Sequence, residues 1–199
     1  MPVVMDAERI SRALTRIAHE ILEHNRGLSD LALVGVRSRG VPIAQRIADD
    51  LRKIAGEDIS VGALDITLYR DDLMGASVGI TPLVRKTEIP FSIDGRTIVL
   101  VDDVLYTGRT VKSALSIIFR SARPKSVRLA VLIDRGHREV PVRPNYVGKN
   151  IPSSEKDRVR VKLRGLEQEE KDQVVIFSVI GPADAVKSPS AVGEKKAAR

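Results

Sequence analysis

An apolar run, Ile98-Val99-Leu100-Val101, leads straight into two adjacent carboxylates, Asp102 and Asp103. The turn Thr107-Gly108-Arg109-Thr110 follows, and a helical pattern begins there. An apolar run without alternation reads as a strand buried on both faces. Such a strand belongs inside a sheet covered by helices, and its last residues reach the carboxyl edge, where open α/β sheets bind ligands. Backbone N–H groups at the helix start, with the Thr107 and Thr110 hydroxyls, suit a phosphate, and Gly108 lets its oxygens approach closely. The carboxylates have the wrong sign for phosphate. Sugar hydroxyls a few ångströms away are the groups that donate to them. Two bland alternatives stand beside this reading. One is a helix cap behind a strand with two surface acids. The other is a receiver domain, whose Mg²⁺-binding acid pair would normally follow the first strand. A Walker P-loop is excluded, because the chain has no Gly-x-x-x-x-Gly-Lys.

The rest of the chain alternates in the same way. A helix over Asp6–Asn25 places Ile10, Leu14, Ile17 and Ile21 on one face. Strand Leu31–Val36 follows, then a helix from about Val41 to Ala55, with Pro42 tolerated in its first turn. Val61–Leu68 reads as a strand, and residues 69–88 as a long loop of the kind that is usually functional. Beyond the strand Thr97–Val101 and a helix over Gly108–Ala122 lies a strand over Val127–Ile133. Residues 134–157 read as a polar loop, where Pro141, Pro144 and Pro152 argue against regular structure. Val159–Leu163 and Val174–Val179 form a final hairpin. The expectation is one α/β domain over residues 1–180, a mostly parallel sheet with helices on both faces, and a disordered basic tail over 181–199.

Composition narrows the function. With no cysteine there is no disulfide framework, thiolate nucleophile or Cys-bound metal. No apolar run approaches the roughly 20 residues that cross a bilayer, and the first residues lack a signal-peptide pattern, so a cytoplasmic protein with no membrane partner is expected. The net charge of +7 calls for an anionic partner, a phosphorylated small molecule or RNA. At 3% aromatic residues, base stacking is not the main binding mode. Arg9, Arg12, Arg16 and His19 fall within an arc of roughly 80° on the first helix, opposite its apolar stripe. By charge alone, with Glu20 bordering the arc and Glu23 inside it, that stripe reads as a solvated face.

The segment Val101–Thr110 resembles the phosphoribosyl-diphosphate signature of type I phosphoribosyltransferases. Four further stretches narrow the resemblance: Arg12–Glu20, Leu64–Asp72, Asp134–Glu139 and Tyr146–Asn150. Together, over residues 6–179, they resemble the bacterial pyrimidine-operon attenuation regulators that are also uracil phosphoribosyltransferases. The resemblance implies the type I phosphoribosyltransferase fold with a flexible hood loop, begun by Tyr69-Arg70. It implies transfer of a pentosyl group from 5-phosphoribosyl 1-diphosphate to uracil, giving UMP and diphosphate. Asp102 and Asp103 would hold the ribose and stabilise its developing positive charge, as in glycoside hydrolysis. Ser38 and Arg39, in Gly35-Val36-Arg37-Ser38-Arg39-Gly40, would grip the diphosphate. Val104, Leu105, Tyr106, Thr107, Gly108, Arg109 and Thr110 would bind the phosphoribosyl substrate, as would Arg70 from the hood. Arg135 would stand near the base, with backbone around Val159 lining its pocket.

The same resemblance turns the basic stripe into an RNA contact. Arg9, Arg12, Arg16 and His19, with Arg138, Arg143 and Lys149, become candidates for binding the leader RNA of pyrimidine genes under control of UMP or UTP. It also implies Mg²⁺ held mainly by the diphosphate substrate, with no dedicated protein cage, and a homo-oligomer. Two alternatives remain open at this point: an RNA-binding attenuator that senses UMP with little or no catalysis, and a purine phosphoribosyltransferase on the same fold. The Asp134–Asn150 loop disfavours the second.

Overall fold

The computed structural model describes residues 2–67 and 87–178. The first strand, β1 (Val3–Met5), leads into helix α1 (Ala7–Asn25), whose first turn is capped by Asp6 Oδ1 accepting the Arg9 N–H at 2.8 Å. Five parallel strands make the main sheet: β2 (Leu31–Val36), β3 (Ser60–Leu64), β4 (Thr97–Leu105), β5 (Ser126–Asp134) and β6 (Tyr146–Asn150). Their order is β3-β2-β4-β5-β6, with β4 at the centre. Helix α2 (Gly40–Ala55) joins β2 to β3, and α3 (Arg109–Ser121) joins β4 to β5.

Ile10, Leu14, Ile17 and Ile21 of α1 are buried with Ile43, Ile47 and Leu51 of α2, Val99 and Val101 in one cluster. Val111, Ala114 and Ile118 of α3 pack in a second cluster with Ala32, Val34, Ile98 and Leu100. Alternate residues of β4 serve the two clusters, so the helices do cover both faces of the sheet. Each fully buried Leu or Ile contributes on the order of 2 kcal/mol of transfer free energy.

Four expectations need correction. Residues 134–157 are not wholly irregular, because Tyr146–Asn150 forms β6 beside β5. Pro141, Pro144 and Pro152 flank this strand and bound it, and none lies inside it. The final hairpin, β7 (Asp157–Lys162) and β8 (Gln173–Ser178), is antiparallel as expected, but it belongs to a separate three-stranded sheet. The third member is β1, paired antiparallel with β8, and three residues are too few to leave a periodic signal. Strand β4 also runs four residues past Val101, through the acid pair to Leu105, because β5 offers it partners as far as Asp134.

The strand expected over Val61–Leu68 ends at Leu64. Ala63 and Glu88 exchange backbone hydrogen bonds of 2.8 Å, so the chain leaves and re-enters side by side at the sheet edge. The hood loop with Arg70, and the tail over 181–199, lie outside the described residues. Among the described residues no helix is long and apolar enough to cross a membrane.

Candidate active site

Strand β4 brings Asp102 and Asp103 to the carboxyl edge of the sheet. Asp102 is buried, and Asp103 is half-buried and faces a cleft of about 240 Å³. Asp103 donates its backbone N–H to Asp102 Oδ1, and Val104 donates its own to Asp103 Oδ1, both at 2.9 Å. Burial pushes the Asp103 carboxyl above the ordinary aspartate range, and the nearby Arg39 guanidinium and local hydrogen bonds draw it only partly back. Keeping this group ionised in the cleft costs free energy that an entering cation would recover.

The opposite wall is the loop between β2 and α2. Arg37, Ser38 and Arg39 line the same cleft as Asp102, Asp103 and Thr110, and the Arg37–Ser38 peptide is cis. Gly40 starts α2 directly against the sheet. A Cβ there would collide with the Val101 carbonyl oxygen and lie 3.3 Å from the Asp102 Cα. Only a glycine lets the loop and the acid pair share one cleft.

An adjoining cavity of about 520 Å³ opens over the N-terminus of α3. It is lined by Leu105 through Thr110 and shares Asp102, Val104 and Thr110 with the cleft, so a single ligand can extend from one space into the other. Gly108 caps α3 at φ 90°, in the left-handed region that favours glycine. The loop of residues 135–142 braces this turn. Arg138 donates to the carbonyl oxygens of Tyr106 (2.8 Å) and Val142 (3.2 Å) and pairs with Asp134 at 2.6 Å.

Most of the residues expected at the site are brought together. Arg135 is there in another capacity. It is 4% exposed, its guanidinium lies 4.1 Å over the Tyr106 ring, and it donates to Ser153 Oγ and the Ser154 carbonyl. It therefore stands behind Tyr106, which itself lines the cavity. His137 contacts the Ser153 carbonyl through Nε2 at 2.6 Å. Val159 packs against the core cluster, and its neighbour Arg158 lines the cavity. Sequence reasoning missed Arg158, although period-two alternation along β7 would have turned it outward once Val159 was placed inside. It also missed Glu139, paired with Arg109 at 2.6 Å, and Glu167, paired with Arg39 at 2.6 Å. Neither leaves a local signal.

The basic stripe lies on α1, away from the cleft. Arg9, Arg12 and Arg16 line a shallow hollow with Gly148 and Lys149. Arg16 donates to the Val147 and Gly148 carbonyls at 2.9 and 2.7 Å, which joins α1 to the end of β6. Each arginine also has an acidic neighbour: Arg12 pairs with Glu8 at 2.8 Å, and Arg16 with Glu20 at 2.6 Å. His19 is exposed on the same helix. Arg138 and Arg143 are not among the residues lining the hollow. Arg138 is committed to the turn that leads into α3, and Arg143 follows Val142, which packs in the cluster under α3.

Residues 4–164 match the family model described as the phosphoribosyl transferase domain. The chain is 57% identical over 174 residues to the bifunctional protein PyrR of Chloroflexus aurantiacus, covering 87% of this chain and 93% of that one. It is 55% identical over 168 residues to the bifunctional protein PyrR of Pelotomaculum thermopropionicum, covering 84% and 92%. Among solved structures, a hypoxanthine phosphoribosyl transferase of Trypanosoma cruzi superposes with a TM-score of 0.67 at 22% identity, covering 88% of this chain and 91% of that one. That likeness concerns the fold alone.

Proposed function

The chain belongs to the phosphoribosyl transferase family, among the bifunctional PyrR proteins, and from that premise we propose that it makes UMP and diphosphate from uracil and 5-phosphoribosyl 1-diphosphate and regulates pyrimidine genes by binding their leader RNA. One observation carries the enzymatic half. The acid pair, the Arg37–Arg39 loop and the Thr107–Thr110 turn open onto two spaces that share three residues. A phosphorylated sugar fits this order. Its 5′-phosphate meets the start of α3, its hydroxyls meet Asp102 and Asp103, and its diphosphate meets Ser38 and Arg39. Uracil N1 bonds to the anomeric carbon as the bond to diphosphate oxygen breaks, and the N1 proton leaves to a base. Asp102 and Asp103 stabilise the positive charge that develops on the sugar between these events.

Mg²⁺ suits the donor set of this cleft. Two hard carboxylates face it, and no group of three or more acidic, His or Cys side chains stands ready to cage a metal among the described residues. The ion would be held by Asp102 or Asp103 together with substrate oxygens, and it would offset the diphosphate charge. Diphosphate release measured across a panel of nucleobases tests the enzyme. Uracil is expected to support turnover and purines are not. A chain that binds UMP without turning over any base would be a nucleotide-sensing regulator only.

The regulatory half rests on the hollow that joins Arg9, Arg12 and Arg16 to Lys149. Replacing Arg12 and Arg16 together by alanine is expected to weaken leader-RNA binding and lower its log-log salt slope by about two. Uracil turnover should change little. UMP or UTP is expected to tighten RNA binding, and linkage then requires RNA to tighten the nucleotide by the same factor. Gel-shift titrations over salt and nucleotide concentration read both effects, and normal RNA binding by the double variant would return the stripe to a solvated face. We place the protein in the cytoplasm as a homo-oligomer, which sedimentation checks.

A further inference from the structure

The β7–β8 connection reaches across to the diphosphate loop. Arg39 donates through Nη2 to Glu167 Oε2 at 2.6 Å, although the two residues lie 128 positions apart. The same carboxylate oxygen is 3.1 Å from Arg160 on β7, so its charge is shared between two guanidinium groups. The connection is tightly set. Glu167 and Gln168 both take left-handed φ values, 51° and 61°, which L-residues rarely adopt. Gly165 donates its N–H to the Glu169 carbonyl, and Glu169 its own to Leu166. At its base, Asp172 makes a two-point contact with Arg46 of α2, the helix that Arg39 precedes. Arg39 is near enough to Asp103 to bear on its charge, yet its hydrogen bond goes to Glu167.

Resting on the reading of residues 37–39 as the diphosphate loop, we propose that Glu167 is a positioning residue for the transfer. It holds the Arg39 guanidinium at the leaving-group end of the cleft and keeps it from closing onto Asp103. A guanidinium has five N–H donors, and Glu167 engages one edge of it, which leaves other donors for diphosphate oxygens. Without Glu167, the side chain regains its rotamer freedom, and Asp103 becomes the nearest carboxylate to capture it. Both changes remove a donor from the diphosphate and a free carboxylate from the ribose. Arg160 stands against both Glu167 and Glu169, and Lys162 pairs with Glu169, so the repulsion of an incoming diphosphate by Glu167 is muted.

A double-mutant cycle on the full-length protein tests this. Calorimetry with inorganic diphosphate and with UMP is run on wild type, Arg39→Ala, Glu167→Gln and the double variant. Glu167→Gln is expected to weaken diphosphate binding about fivefold, the scale of a partly exposed ion pair. It should raise KM for 5-phosphoribosyl 1-diphosphate more than it lowers kcat. UMP has no diphosphate, so its affinity should fall less than that for diphosphate, through Asp103 alone, and in the Arg39→Ala background the substitution should have no further effect on either ligand. Glu167→Asp should fall between wild type and Glu167→Gln. Tighter diphosphate binding by Glu167→Gln, or an effect that persists without Arg39, overturns the proposal. If Arg39→Ala itself leaves diphosphate affinity unchanged, the diphosphate-loop reading fails first and takes the proposal with it.

Discussion

Asp102→Asn and Asp103→Asn are each expected to lower uracil turnover by about 10²-fold or more, with the fold intact. The substitution keeps size and shape, and the amide oxygen can still accept the Asp103 or Val104 N–H that each carboxylate accepts now. What is lost is charge at the point where the sugar becomes cationic. UMP carries no such charge, so its affinity should fall much less than turnover. Asp103→Asn should also change how stability responds to pH. The Asp103 carboxyl is pushed above the aspartate range by burial, so the folded protein holds its proton to higher pH than the unfolded chain does. Its contribution therefore becomes less favourable to folding as pH rises from the unfolded value of 3.8 through the raised folded value. Asp103→Asn removes that loss, so thermal melts at neutral pH should show a variant at least as stable as wild type. Turnover and melting measured side by side separate a catalytic carboxylate from a structural one. Near wild-type rates in both variants would take the pair out of the mechanism.

Gly40→Ala is expected to cost about 1–3 kcal/mol of stability and at least tenfold in affinity for 5-phosphoribosyl 1-diphosphate. The added methyl meets the Val101 carbonyl oxygen, Val101 C at 3.2 Å and the Asp102 Cα at 3.3 Å. All three are backbone atoms of the central strand, so no side chain can rotate out of the way. Relief comes only if α2 and its leading loop move off β4. That motion separates Arg39 and Ser38 from Asp102 and Asp103, the spacing a single ligand must span. Denaturant unfolding and calorimetry should therefore report linked losses. Wild-type affinity in a destabilised variant would mean that the loop adjusts without the helix.

The part of the site that was legible in the sequence is the part encoded in consecutive residues. Asp102 through Thr110 carry strand, acids, turn and helix start in one stretch, and Arg37 to Arg39 follow a second strand. The apolar periodicity of α1 placed Ile10, Leu14, Ile17 and Ile21 in the core, where all four are buried. Residues whose roles depend on distant partners were not legible. Arg135 looked like a ligand contact because nothing local shows that Tyr106 and the Ser153–Ser154 turn would enclose its guanidinium. Arg138 was a candidate RNA contact, because nothing local shows that it donates to the Tyr106 and Val142 carbonyls. Tyr146–Asn150 was hidden by nearby prolines, since a five-residue strand draws its stability from pairing with β5 and from burying Tyr146. Glu167 could be found only once the fold had carried it to Arg39.

The small sheet has a consequence in time as well as in space. Strand β1 closes against β8, pairing Val3 with Val175, so nearly the whole chain must exist before that sheet can form. Contacts this remote in sequence are entropically slow to close. On a ribosome, the β2–β6 sheet with its acid pair can assemble while the cavity still lacks Arg158 and Arg39 still lacks Glu167. A nascent chain at that stage would display the phosphate-side turn but hold Arg39 unanchored. Competence for chemistry thus arrives last, when the C-terminal strand joins the N-terminal one, and a prematurely ended chain has a core without a finished site.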